Sequence, residues 1–188
     1  MRQDEIIQIS RRLAGHEVVA EILALSIVEF SRTRQSRIAL SLGNSGGVLR
    51  DTGRGMRLTP DRGDTISHAE RALTSHYPCL PSDGDVGAVL HELVWVERGS
   101  LGPSLANFAC RSYRFTSMRE REIWSQQYEC GQPTGPATLL GSTEETGTQV
   151  EFETNRPIDS TQVERLAQSL CERIHGLSIS LERASASF

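Results

Sequence analysis

Gly141-Ser142-Thr143-Glu144-Glu145-Thr146-Gly147-Thr148-Gln149-Val150-Glu151-Phe152 is the stretch on which the reading of this 188-residue sequence turns. Its second half alternates polar and apolar side chains from Thr148 to Phe152, which predicts a half-buried strand over 147–153. Upstream, 111–116 and 122–130 read as two more strands, and Gly131-Gln132-Pro133-Thr134-Gly135-Pro136 as a rigid turn after them. Further upstream, Arg37-Ile38-Ala39-Leu40-Ser41-Leu42 alternates in the same way. Gly43 to Gly47 then supplies a turn, and Val48-Leu49-Arg50 starts a return strand, so the pair forms a β-hairpin. Helical patterns flank these strands. Residues 4–32 carry Val19, Ile22, Leu23, Ile27 and Phe30 on one stripe. A last helix starts at Asp159 or Ser160, buries Val163, Leu166, Leu170 and Ile174, and stops at Gly176 before a closing strand over 177–181. Shorter helices are expected over 65–76, capped by Ser67 or Thr65, and over 104–109 after Pro103. Residues 52–64 and 77–87 read as loops, and 184–188 as a frayed tail. Helices before and after a run of mostly antiparallel strands predict a two-layer α/β sandwich, with helices on one face of one sheet, in a single domain over 1–183.

The composition narrows the function classes. At 37% hydrophobic and 23% charged residues the chain reads as globular, and no apolar run approaches the roughly 20 residues a membrane helix needs. The acidic start Met1-Arg2-Gln3-Asp4-Glu5 is unlike a secretory signal, so a cytoplasmic location and no membrane are expected. A net charge of −4 with scattered cations argues against direct nucleic-acid binding. All 20 basic residues are arginine, so no lysine can hold a phosphate or form a Schiff base. Cys79, Cys110, Cys130 and Cys171 form no Cys-x-x-Cys pair and are expected to be reduced thiols. His16, His68, His76, His91 and His175 lack the spacing of metal ligands, so no metal site is expected. Trp95 and Trp124 sit in apolar alternation and read as core.

Asp51-Thr52-Gly53-Arg54-Gly55-Met56 follows the hairpin's second strand as an Asp-x-Gly-x-Gly box. Together with Gly131-Gln132-Pro133, the run from Gly141 to Phe152 and the closing segment from Leu170 to Leu181, it resembles the ATP-binding domain of the gyrase B family. That family belongs to the GHKL (Bergerat-fold) group, which also includes histidine kinases and MutL. The resemblance covers most of residues 17–183. It implies that Asp51 accepts a hydrogen bond from the exocyclic amine of adenine and that Thr148 supports a ring nitrogen through water. Gly53 and Gly55 would let the backbone approach the purine, with Met56 beside it.

The catalytic helix departs from the family pattern. Glu21 keeps the position of the general base, but Leu25 stands where an asparagine would ligate magnesium, and Ala24 and Val28 replace acidic residues. Hydrocarbon cannot coordinate a hard cation, so no magnesium site and no ATP hydrolysis are expected. The phosphate-cradling segment 98–107 keeps Gly102 and Asn107, whereas Pro103 removes a backbone donor. The arginine over the adenine pocket falls at Ser125. The N-terminal arm and transducer domain of the family have no counterpart, so the chain is not expected to act as a topoisomerase itself.

Three readings follow. The first is a degenerate module that binds ATP or ADP at the adenine end and partners a gyrase-type subunit. In the second, the apolar pocket is repurposed for a small molecule, with Glu21 as an acid or base whose pKa a dry setting would raise. The third is a structural interaction module whose pocket is filled by its own side chains.

Overall fold

A computed structural model describes residues 3–34, 36–76, 80–95 and 102–183. The helical pattern over 4–32 is two helices, α1 (Gln3–Ser10) and α2 (Gly15–Thr33). The break comes at Ala14, whose backbone is extended (φ −72°, ψ 157°) and whose N–H is held by the Glu17 carboxylate at 2.7 Å. Gly15 opens α2 because a Cβ there would collide with the Pro157 carbonyl. The helix ends where Arg34 turns left-handed and donates its N–H to the Phe30 carbonyl.

The hairpin follows as expected, with β1 (Ile38–Leu42) paired to β2 (Gly46–Asp51). A loop leads to α3 (His68–Thr74), capped by the Ser67 hydroxyl, which accepts from the Glu70 N–H at 3.0 Å. The next helix, α4 (Gly84–Leu93), begins inside the stretch read as a loop over 77–87. Two glycines in its first turn hide it from propensity. The Asp83 carboxylate starts it by accepting from the N–H groups of Asp85 and Val86, a cap worth about 1 kcal/mol. Then come α5 (Ser104–Ala109), β3 (Cys110–Arg119), β4 (Glu122–Glu129), β5 (Gln132–Pro133), β6 (Thr138–Ser142) and β7 (Gly147–Thr154). Helix α6 (Ser160–Arg173), capped by Asp159, leads to β8 (Ile179–Arg183).

The strands form one sheet in the order β5-β4-β3-β7-β2-β1-β8, with β6 also beside β4. Every pairing is antiparallel except β1 with β8, which the chain reaches from β7 through α6. The helices cover one face. There Leu40, Leu49, Tyr113, Phe115 and Val150 pack against Val19, Ile22, Leu23 and Ile27 of α2. The opposite face carries alternating cations and carboxylates, including Arg114 with Glu151 and Arg111 with Glu153. This is the two-layer α/β sandwich, with a mostly antiparallel sheet, that the sequence predicts. Trp95 is buried, as expected, whereas Trp124 is half-buried. Among the described residues no helix is long and apolar enough to cross a membrane.

Candidate functional site

Asp51 is the last residue of β2, and the register of the sheet sets Thr148 of β7 opposite it. Asp51 is 2% exposed, and its carboxylate accepts three hydrogen bonds. The Ser26 hydroxyl of α2 donates to Oδ2 at 2.8 Å, the Gly53 N–H donates to Oδ1 at 2.8 Å, and the Thr148 backbone supplies another bond. Burial raises its pKa above the ordinary aspartate value. The Glu29 charge adds to that rise, and the bonds from Ser26, Gly53 and Thr148 oppose it. A carboxylate has about four lone-pair sites, so roughly one acceptor position is left for an incoming group.

The two glycines after Asp51 are set by close approach. A Cβ on Gly53 would overlap the Glu29 side chain. Gly55 is left-handed (φ +71°), and a Cβ there would lie 2.7 Å from the Ser117 hydroxyl and 2.8 Å from the Met118 carbonyl. Arg54, between them, clamps Glu29. Its backbone N–H and Nε reach Oε1 at 3.0 and 2.7 Å, and Nη2 reaches Oε2 at 3.0 Å. Desolvation pushes the Glu29 pKa up, but the Arg54 bonds and charge, helped by Arg32, outweigh it and hold Glu29 below its usual value.

These groups open on a cavity of about 390 Å³. Its lining includes the polar Asp51, Thr148, Glu29, Asp61 and His68, the apolar Leu25, Val28, Met56 and Phe115, and the cations Arg32, Arg54, Arg57 and Arg119. Six residues singled out in the sequence therefore gather here: Leu25, Val28, Asp51, Gly55, Met56 and Thr148. Gly53 touches the site through its bond to Asp51.

The others lie elsewhere. Ala24 is buried in the core and Glu21 is 3% exposed; neither lines this cavity. The Glu21 Oε2 accepts the Trp95 indole N–H at 3.2 Å, and Trp95 meets the edge of His91. Trp95→Phe is expected to cost about 1–3 kcal/mol by removing that donor from a buried carboxylate, which denaturant unfolding would measure. Asn107 is fully buried on α5, where its amide donates to the carbonyls of Leu73 at 2.9 Å and Gly131 at 3.3 Å. Gly102 precedes that helix with φ +73°. Residues 98–101 of the expected phosphate segment, and Cys79, lie outside the described residues. The Ser125 hydroxyl pairs with Thr116 at 3.0 Å, away from the cavity lining.

Sequence reasoning missed Ser26, Phe115 and the arginines that line the cavity. For Arg32 a signal existed, because Leu25, Val28, Glu29 and Arg32 fall at i, i+3, i+4 and i+7, one face of a helix. Arg57 and Arg119 come from a loop and from β3, and only the fold brings them together. A larger hollow of about 830 Å³ lies by the β1–β2 turn. Its charged groups are already neutralised, since Arg114 pairs with Glu151, Glu153 with Arg111, and Arg183 with Glu164.

No protein-family model matches the sequence. The fold is similar to that of the 43K ATPase domain of Thermus thermophilus gyrase B, in a crystal structure of its complex with an aminocoumarin. The TM-score is 0.68 and the sequence identity 19%, over 92% of this chain and 44% of that one. The chain thus spans less than half the length of the structure it matches, and what the two share is the GHKL architecture.

Proposed function

We propose that this chain uses the gyrase B ATPase fold to bind an adenine-type heterocycle without magnesium and without hydrolysing ATP. The observation that carries this reading is the Asp51 carboxylate, fixed by Ser26, Gly53 and Thr148 and bordering an open cavity with acceptor capacity to spare. A buried acceptor of this kind selects a ligand with an N–H donor, and the apolar walls suit a flat ring. The T. thermophilus domain holds an aminocoumarin, which supports a ring-shaped ligand for this fold.

Magnesium does not suit the residues present. Leu25 and Val28, at the positions where the family carries oxygen-bearing side chains, bring hydrocarbon to the cavity instead. Among the described residues no group of three or more His, Cys, Asp or Glu side chains could hold a metal ion. Without a cation to neutralise developing charge, phosphoryl transfer lacks its main source of stabilisation.

Thermal denaturation with ATP and with ADP, each with and without magnesium, tests the reading. The expected result is a rise of several degrees that magnesium leaves unchanged, with no release of phosphate. No shift with either nucleotide, or a magnesium-dependent shift with turnover, would refute it.

A further inference from the structure

The two outer edges of the sheet differ in charge. At one edge, β8 ends on Glu182 and Arg183, and Arg183 pairs with Glu164. Charged side chains of this kind keep a strand from pairing with another chain. At the other edge, β5 and β6 both lie along β4, and among the described residues β6 has no strand on its outer side. Pro133 blunts β5, but β6 holds neither a proline nor a charge. No charged residue occurs anywhere from Gly131 to Thr143, in a chain where 23% of residues are charged. All five residues of β6 are exposed, Leu139 at 49% and Leu140 at 61%. The register passes from Leu139 to Gly141, so Leu140 is the extra residue of a bulge, which adds an apolar side chain to the edge rather than a charge. The first carboxylates beyond the strand are balanced, Glu144 by Arg121 and Glu145 by Arg50.

We propose that β6 binds a second copy of this chain, the two β6 strands pairing antiparallel about a two-fold axis so that the sheets join edge to edge. The outward backbone groups of an edge strand fit any extended chain, and the charge pattern selects the partner. A two-fold contact is self-complementary and sets side chains near the axis beside their own images. A charged strand would there repel itself, and two chains of net charge −4 meet most easily where charge is absent or balanced. β6 and its flanks meet that condition, whereas β8, with Glu182 and Arg183 on it, does not. Five residues a side bury less than the roughly 1,000 Å² of a stable interface, so the dimer is a weak one, with a dissociation constant on the order of 10–100 µM.

Sedimentation equilibrium of the full chain from about 5 to 500 µM tests this on the wild type, on Leu140→Lys, on Leu140→Glu and on an equal mixture of the two variants. The wild type is expected to pass from monomer to dimer. Each variant alone should dimerise about tenfold more weakly, because like charges meet across the axis, and the mixture should recover the loss. A wild type that stays monomeric throughout, or variants that dimerise as the wild type does, overturns the proposal. So does a mixture no stronger than its components, since two-fold pairing sets opposite charges together in it. Species larger than a dimer would mean that β6 pairs head to tail with another edge, which also overturns the two-fold contact.

Discussion

Asp51→Asn is expected to abolish the shift in melting temperature produced by adenine nucleotides, weakening binding about 100-fold or more, while the free protein melts at or above the wild-type temperature at neutral pH. The two halves have separate causes. Asparagine can still accept from the Gly53 N–H through Oδ1, and its amide can face the Ser26 hydroxyl, which rotates to accept. It then has no acceptor to offer a ligand amine, and a site built around one hydrogen bond discriminates strongly when that bond is lost. The stability half follows from the raised pKa of Asp51. A carboxyl with a raised folded-state pKa contributes stability that is fully present below the unfolded value of about 3.9 and is lost as pH rises through the folded value. At neutral pH the ionised group is thus a burden, which asparagine relieves. By the same linkage, wild-type affinity should begin to fall on acidification at a higher pH than an ordinary aspartate would give. Melting curves and titrations of both proteins between pH 5 and 8 check this. Unchanged affinity in the variant would end the assignment of Asp51 as the ligand acceptor.

Gly147→Ala should produce the largest loss of stability, about 2–6 kcal/mol, from overpacking together with backbone strain. Gly147 opens β7 at φ +141°, and an added Cβ would run into the Asp51 carbonyl oxygen, with the Asp51 carbonyl carbon 3.0 Å and the Thr52 Cα 3.1 Å away. All of these atoms are backbone, so relief requires β2 and β7 to separate where Asp51 faces Thr148. The melting temperature should fall by roughly 10 °C for a chain of this length. Gly135→Ala is the matched control. A Cβ there meets nothing within 4 Å, and the change should stay within about 0.5 kcal/mol. Equal melting of the two variants would mean that the Gly147 contact is not a constraint.

The hairpin, β7 and the last helix were legible because each repeats its pattern over several residues. The strand β6 was not, since Thr138 to Ser142 are all exposed and show no alternation between faces. The break between α1 and α2 was hidden by an apolar periodicity that carries on across it, while Ala14 stays extended because Glu17 holds its N–H. Within the site, Asp51 and Thr148 came from the family resemblance, and the register of two strands nearly 100 residues apart sets them opposite one another. The same resemblance pointed to the stretch of α2 from Glu21 to Val28, yet the cavity borders only its later part, from Leu25 onward, with Glu21 engaged by Trp95. A sequence shows which side chains share a helix face. It does not show which part of that face a neighbouring indole closes off.

The parallel pairing of β8 with β1 has a consequence for synthesis on the ribosome. Strand β1 is made early, but β8, which flanks it on the far side, is made after β2 to β7, and it cannot arrive before the α6 segment that links it to β7 has been made. Until then the nascent hairpin offers a bare row of amides and carbonyls to any extended chain nearby. The chain should therefore be most prone to aggregate, and most dependent on chaperones, in the interval between the emergence of β7 and that of β8.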